Sequence, residues 1–243
     1  MNPKAMSLYG KALWDYYNGD KTAEIIIRRD DGLETKLPVV IFFRSQNELL
    51  PGEVEAIHQS RGHVLDIGAG SGIHTLILQS KGLSVTAIDI DPNAVNVMIQ
   101  RGILDVHRAD IMNYQGGSFD ILLMFGHGIG MVETIRGLNH FLDHAVSLIR
   151  SDGQLLINSV DVRRTDDPVH LKYHKANNLA GRYIGETRIQ FEYKGERGPF
   201  CGWLHIDPDT LQEVASLKNW KCEIIFQDKN GEYFARLIHK GSV

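Results

Sequence analysis

The chain has 243 residues, 43% of them apolar and 23% charged, with a net charge of −4 and an isoelectric point near 6.2. That length suits one large α/β domain or a domain with an insertion, and the acidic balance argues against a general nucleic-acid binder, which needs a basic stripe. Apolar runs such as Val39 to Phe43 are far too short to span a bilayer, and the N-terminus lacks the basic-then-apolar order of a secretory leader.

Cys201 and Cys222 sit in no CxxC or Cys/His cluster, which predicts buried, inert thiols in a cytoplasmic protein. Residues 4–17 predict a helix rich in large side chains, among them Tyr9, Trp14 and Tyr17. Ala23 to Arg28 and Thr35 to Phe43 read as strands around the Asp31-Gly32 turn. A helix is expected from Pro51, with Glu53 and Glu55 complementing its N-terminal dipole.

From His63 the pattern alternates. Strands are predicted at His63 to Ile67, Ser84 to Ile88, Asp105 to Ala109, Phe119 to Phe125 and Gln154 to Val160, the last after an Asp152-Gly153 turn. Helices fall between them. One starts with Asp91 as N-cap and Pro92 in the first turn, and another shows Leu138, Phe141, Leu142 and Ala145 on one face. Such alternation implies a doubly wound, mostly parallel sheet that binds ligands beyond the carboxyl ends of its strands. The segment 161–206 interrupts it with a helix from Asp167-Pro168 and strands at Glu186 to Tyr193 and Phe200 to Ile206. A helix after Asp207-Pro208 and a hairpin around Asn230-Gly231 close the chain, adding an antiparallel C-terminal strand.

The chemistry concentrates at Val64-Leu65-Asp66-Ile67-Gly68-Ala69-Gly70-Ser71-Gly72, a strand running into a glycine turn and then a helix. Glycine allows close backbone approach and positive φ there. The dinucleotide fingerprint GxGxxG fails in both registers, since its third glycine would fall on Ile73 or Thr75. Asp66, just before the turn, suits a cationic ligand better than a pyrophosphate and could face an ammonium group. An acid at the end of the second strand, Asp89, can accept from both hydroxyls of a ribose. The third strand ends in another acid, Asp110.

Together these residues resemble the class I S-adenosylmethionine-dependent methyltransferases, most strongly over Val64 to Gly153. The resemblance implies a Rossmann-like seven-stranded fold, with S-adenosylmethionine as cofactor and S-adenosylhomocysteine as product. It places Gly68, Ala69, Gly70 and Gly72 around the cofactor, Asp89 and Ile90 at the ribose, and Asp110 and Ile111 at the adenine. Phe125 and Gly126, from Met124-Phe125-Gly126-His127-Gly128-Ile129-Gly130, border the methionine moiety. The Asn-Pro-Pro-aromatic or Asp-Pro-Pro-aromatic signature of base and glutamine-amide methylation is missing here, which turns the expectation toward a small-molecule substrate. Methylation of a protein or RNA, and non-enzymatic cofactor binding, remain as alternatives. The closing residues Trp203 to Asp207, Trp220, and Tyr233 to Leu237 resemble small-molecule members more loosely.

His127 is the candidate general base, because histidine titrates near neutrality and follows the fourth strand; its plainer role is to order the loop. Residues 1–58 read as an N-terminal helix-and-hairpin cap on a 59–243 methyltransferase domain, with 161–206 as an inserted substrate lid. Tyr173, Arg182 and Trp203 are the candidate substrate residues of that lid. Arg163 and Arg164 read as anion binders or as a solvated surface beside Asp166 and Asp167. His170 and His174 lie one helical turn apart without a third ligand, so no metal is expected. Tyr9, Trp14, Tyr17 and Phe42-Phe43-Arg44 are read either as closing over the cofactor or as core. No membrane partner is expected, and the oligomeric state is left open.

Overall fold

The computed structural model describes residues 1–241. Its central sheet is seven-stranded, built from β3 (His63–Ile67), β4 (Ser84–Asp89), β5 (Val106–Arg108), β6 (Phe119–Met124), β7 (Ile149–Val160), β11 (Trp220–Gln227) and β12 (Glu232–His239). The order across it is β11-β12-β7-β6-β3-β4-β5. β3 through β7 run parallel, and β12 is antiparallel to both of its neighbours. The order reverses direction between β3 and β6, where an open α/β sheet leaves its crevice.

Both faces are covered. α5 (Ile135–Ala145) and α7 (Pro208–Leu217) bury Leu138, Phe141, Leu142, Leu211 and Val214 against one face. α2 (Pro51–Gln59) and α3 (Ile73–Ser80) bury Ala56, Ile57, Ile77 and Leu78 on the other. The middle strands are apolar on both sides for this reason, and each fully buried Leu or Ile contributes about 1.5–3 kcal/mol. Side chains set the helix starts: Asp91 accepts from Asn93 N–H at 2.8 Å to open α4 (Pro92–Gln100), and Thr134 accepts from Gly137 N–H at 3.0 Å to open α5.

A second sheet stands beside the first, ordered β10-β8-β1-β2 with β9 (Glu196–Arg197) on the edge of β8. It joins the N-terminal hairpin, β1 (Glu24–Arg29) and β2 (Glu34–Pro38), to β8 (Glu186–Tyr193) and β10 (Cys201–Leu204) of the insertion. Ile26 pairs with Glu192 and Ile27 with Phe191. The two segments are therefore one structure. α1 (Pro3–Tyr17) packs on it through Leu8, Ala12, Leu13 and Tyr16, in a cluster with Ile25, Phe191 and Tyr193. α6 (Pro168–Leu179) is tied to its rim by Tyr173, whose hydroxyl donates to Asp30 at 2.8 Å.

Two boundaries differ from expectation. The strand read through Phe43 stops at Pro38, and Val39–Phe43 turns as a 3-10 helix. Proline has no N–H to carry the ladder further, and β2 is already an edge strand. Asp152-Gly153, expected as a turn before the strand, lies within β7, where the pairing with β6 slips between Phe119 and Ile121. The extra residues are absorbed as an irregularity in the strand. Among the described residues no helix is long and apolar enough to cross a membrane.

Candidate active site

The glycine turn leaves β3 with Gly68, Gly70 and Gly72 at φ of +66°, +59° and +78°, a region that side chains disfavour. Gly68 and Ala69 donate to the carbonyl of Ile88 at 2.9 and 3.0 Å, and Gly70 donates to Oδ2 of Asp89 at 3.0 Å. The turn is thereby fastened to the end of β4. Oδ1 of Asp89 accepts from Asp91 N–H at 2.9 Å, so each oxygen keeps a lone pair for a further donor. Burial pushes the Asp89 carboxyl up to about 6, only partly offset by those N–H groups.

Asp66 is buried, and its carboxylate accepts from Thr75 Oγ1 of α3 at 2.6 Å. Burial raises its pKa as well. Asp110 caps the short turn Ile111–Asn113 through Met112 N–H at 3.1 Å. Ile111 is buried in the main core, and the neighbouring side chain, Met112, lines a cleft of about 570 Å³ with Met1, Met131, Glu133 and Arg136. Ile90 packs toward the cluster around α1.

The Phe125 ring is in the core, edge-on to Phe234 at 5.3 Å and to His74 at 5.1 Å. Gly126 is exposed, with φ +65° and, among the described residues, no atom within 4 Å of where a Cβ would stand. A Cβ on Gly68 and one on Gly128 would meet the same Met131 methyl, at 2.6 and 3.4 Å. The loop after β6 therefore abuts the glycine turn, with Met131 between them.

His127 has φ +58°, strained for a residue with a side chain. Its N–H donates to Asn158 Oδ1 at 3.0 Å, and its Nε2 lies 2.7 Å from Glu232 Oε2. Asn158 Nδ2 donates to the other oxygen of Glu232 at 2.6 Å. The His205 ring meets His127 edge-on at 5.6 Å, and its buried Nδ1 has no partner among the described residues. Burial, and to a lesser degree His127, lowers the His205 pKa to about 3. Glu232 has no local sequence signal, because it opens a strand far along the chain, and His205 is marked only as part of the Trp203 to Asp207 stretch.

α1 closes the other side. The Tyr9 hydroxyl stands 3.4 Å from the Cβ position of Gly70, and burial followed by the Asp89 charge raises its pKa well above the ordinary tyrosine range. Phe42 packs edge-on to Tyr9 at 5.1 Å, and its carbonyl accepts from Ser71 Oγ. Tyr17 and Trp14 turn away, Tyr17 donating to the Gln100 carbonyl at 3.1 Å. Phe43 stacks on Tyr16, and Arg44 forms a two-pronged pair with buried Glu53 at 3.1 and 2.9 Å. Glu53 also holds His74 Nε2 at 2.9 Å.

The expected lid residues separate. Trp203 stands over the loop, since a Cβ on Gly130 would lie 2.1 Å from its indole. Arg182 lines a groove of about 300 Å³ with Glu186, Arg188 and Phe200, adjoining the Met112 cleft at Glu133. The Tyr173 hydroxyl is bonded to Asp30 and its ring lies under Arg29 at 4.2 Å. Arg163 is paired with Asp161, Asp207 and Asp209, and Arg164 with Asp161, the surface alternative to an anion site. His170 sits 3.0 Å from Arg29, and among the described residues no three ligands gather for a metal. Cys201 is buried and Cys222 partly so, both unpaired.

A family model described as a methyltransferase domain matches residues 64–153. The chain is 30% identical to a SAM-dependent methyltransferase from Bacteroides fragilis solved in complex with S-adenosyl-L-homocysteine, with a TM-score of 0.85 over 98% of this chain and 97% of that one. The CcbJ methyltransferase from Streptomyces caelestis is 9% identical, with a TM-score of 0.63 over 96% of this chain and 98% of that one. DhpI in its SAH complex is 16% identical, with a TM-score of 0.57 over 95% and 96%. At those identities the last two share the fold alone, but they share it over nearly the whole length. No curated protein matches the sequence.

Proposed function

Because the chain belongs to the class I S-adenosylmethionine-dependent methyltransferases, we propose that it methylates a small molecule by in-line transfer, with Asp89 and the Gly68–Gly72 turn holding the cofactor. The observation that carries this reading is the bond from Gly70 N–H to Asp89, which sets an acceptor carboxylate beside a turn bare of side chains. The residues fit a sulfonium nucleoside. Asp89 has acceptor capacity left for ribose hydroxyls, Asp110 stands at the next strand end for the adenine amino group, and no side chain fills the space at Gly126. When bound, the cofactor supplies a methyl group on a positively charged sulfur.

The chain's own work is to position and to exclude water. Asp66, held by Thr75, puts negative charge below the turn. Tyr9 and Phe42 cover the turn from α1 and the loop before α2, and Trp203 walls the loop after β6. His127 is the proton acceptor; His205, held neutral down to about 3, is too weak a base for that work near neutral pH. Residues 1–58 and 161–206 act together as the cover of the 59–243 domain. The net charge of −4 and the close cover favour a small substrate over RNA, and the free thiols suit a cytoplasmic setting.

Calorimetric titration with S-adenosylmethionine, S-adenosylhomocysteine and NAD tests the cofactor. Micromolar binding of the first two and none of NAD is expected. Transfer of labelled methyl into panels of alcohols, phenols and amines then tests the substrate class. Absence of binding by either sulfur nucleoside would overturn the reading of Asp89.

A further inference from the structure

His127 and Glu232 come from opposite sides of β7, one from the loop after β6 and one from the start of β12. The imidazole Nε2 and the carboxylate meet at 2.7 Å, and Glu232 is itself fixed by Asn158 Nδ2 at 2.6 Å. Asn158 also takes the His127 backbone N–H at 3.0 Å, so one side chain holds both partners. The Nδ1 of His127 has no hydrogen-bond partner among the described residues and is not sealed in the interior. A carboxylate accepting from Nε2–H leaves the Nδ1 lone pair as the free acceptor.

We infer that Glu232, anchored by Asn158, is a positioning residue that makes Nδ1 of His127 the proton acceptor, and that the substrate therefore arrives with a proton on its reacting oxygen or nitrogen. The inference rests on the methyl-transfer reading above. In the step it describes, the O–H bond of a hydroxyl substrate, or an N–H bond of an amine in its ammonium form, breaks and the proton goes to Nδ1. The electron pair left behind becomes the nucleophile's lone pair. The imidazole becomes an imidazolium, and the Glu232 carboxylate across the ring balances that charge. The groups facing His127 are Glu232 from β12, Asn158 from β7 and the His205 ring, which burial keeps uncharged. A nucleophile that arrives already ionised, such as a carboxylate, needs none of this arrangement. Alcohols, phenols and amines that arrive as ammonium ions need it. The left-handed backbone at His127, φ +58°, is accounted for in the same way, because that turn aims the ring back at β12.

The test uses the full chain labelled with 15N-histidine. In the wild-type protein the His127 Nε2–H should give a slowly exchanging, downfield proton resonance, the mark of an imidazole donating to a carboxylate. Glu232→Gln should move it upfield and speed its exchange, and Glu232→Ala should abolish it. In labelled-methyl assays on hydroxyl and amine panels, Glu232→Gln should lower turnover about tenfold to a thousandfold with KM unchanged. S-adenosylhomocysteine affinity, read by calorimetry, should stay within about twofold in both variants, the tolerance for an interaction outside the cofactor contacts. A wild-type spectrum without the downfield proton overturns the pairing, and needs no variant. Label going only to carboxylates, or turnover indifferent to Glu232→Gln, overturns the proton-acceptor role. Loss of S-adenosylhomocysteine binding by the wild type would instead overturn the cofactor reading, with the resonance still standing as a separate result.

Discussion

A Cβ added to Gly10 of α1 would lie 1.7 Å from Oδ1 of Asp91, so the helix backbone rests on the carboxylate that caps α4. Nothing but hydrogen fits between them. The same contact brings Tyr9, one residue earlier, over Gly70 and toward Asp89. The covering helix and the Asp89 carboxylate are thus brought together by one close approach.

Gly10→Ala should therefore lift α1 from the start of α4 and loosen the neighbouring turn together with the fold. Overpacking of this kind costs about 1–3 kcal/mol. Thermal unfolding and S-adenosylhomocysteine calorimetry should both weaken. A variant with unchanged melting temperature and unchanged affinity would show that α1 is not seated there in solution.

Asp89 predicts a pH dependence of cofactor binding. Its folded value is raised to about 6 by burial, so the ionised form is the disfavoured one in the folded protein. Its contribution to stability is complete below the ordinary carboxylate range and is lost as pH rises through about 6, a cost on the order of 3 kcal/mol. In the role proposed for it, Asp89 accepts from both ribose hydroxyls, which takes the ionised form. Affinity for S-adenosylhomocysteine should rise from pH 5 to pH 7 and then level off, with proton release on binding near pH 5, in line with a value of about 6. Calorimetry in buffers of different ionisation enthalpy measures both, and affinity flat across that range would sink the assignment.

His127→Asn should separate binding from chemistry. Asparagine tolerates the left-handed backbone, so the loop can keep its path. S-adenosylhomocysteine affinity should hold while methyl transfer to a hydroxyl or amine falls by about 10²–10⁴. Equal losses in both would mark His127 as a loop-ordering residue only.

Glu53→Gln should destabilise the protein without touching the reacting groups. Burial alone would raise this carboxyl, but His74, the Leu50 N–H and Arg44 outweigh it and bring it to about 2. A depressed value gives stability that is present above the ordinary carboxylate range and is lost as pH falls through about 2. Removing the charge leaves Arg44 and buried His74 facing a neutral amide, a loss of about 3 kcal/mol in urea unfolding near neutral pH. A variant as stable as the wild type would show that Glu53 contributes nothing net.

What could be read from residues alone was whatever repeats locally. Alternating apolar strands and capped helices marked the central sheet, Gly68 to Gly72 marked the turn, and Asn230-Gly231 marked the last hairpin. The strands of the second sheet were legible one by one but their joining was not, because Ile27 meets Phe191 across most of the chain and periodicity carries no information about distant pairing. The bond from the Tyr173 hydroxyl to Asp30 was hidden for the same reason, since the two residues lie far apart in the chain. Glu232 opens an ordinary strand, and only the sheet order places it against His127.

The joining of β1 to β8 also sets a timetable. On the ribosome β1 emerges early, while its partner follows roughly 160 residues later, a wait on the order of ten to thirty seconds at ordinary elongation rates. Throughout that interval Ile25, Ile26 and Ile27 form an apolar strand whose β8 edge is open, the kind of edge that recruits other chains. Newly made protein should therefore be most prone to aggregate before residue 193, the end of β8, has been translated. Chains truncated within the insertion should be less soluble than the whole.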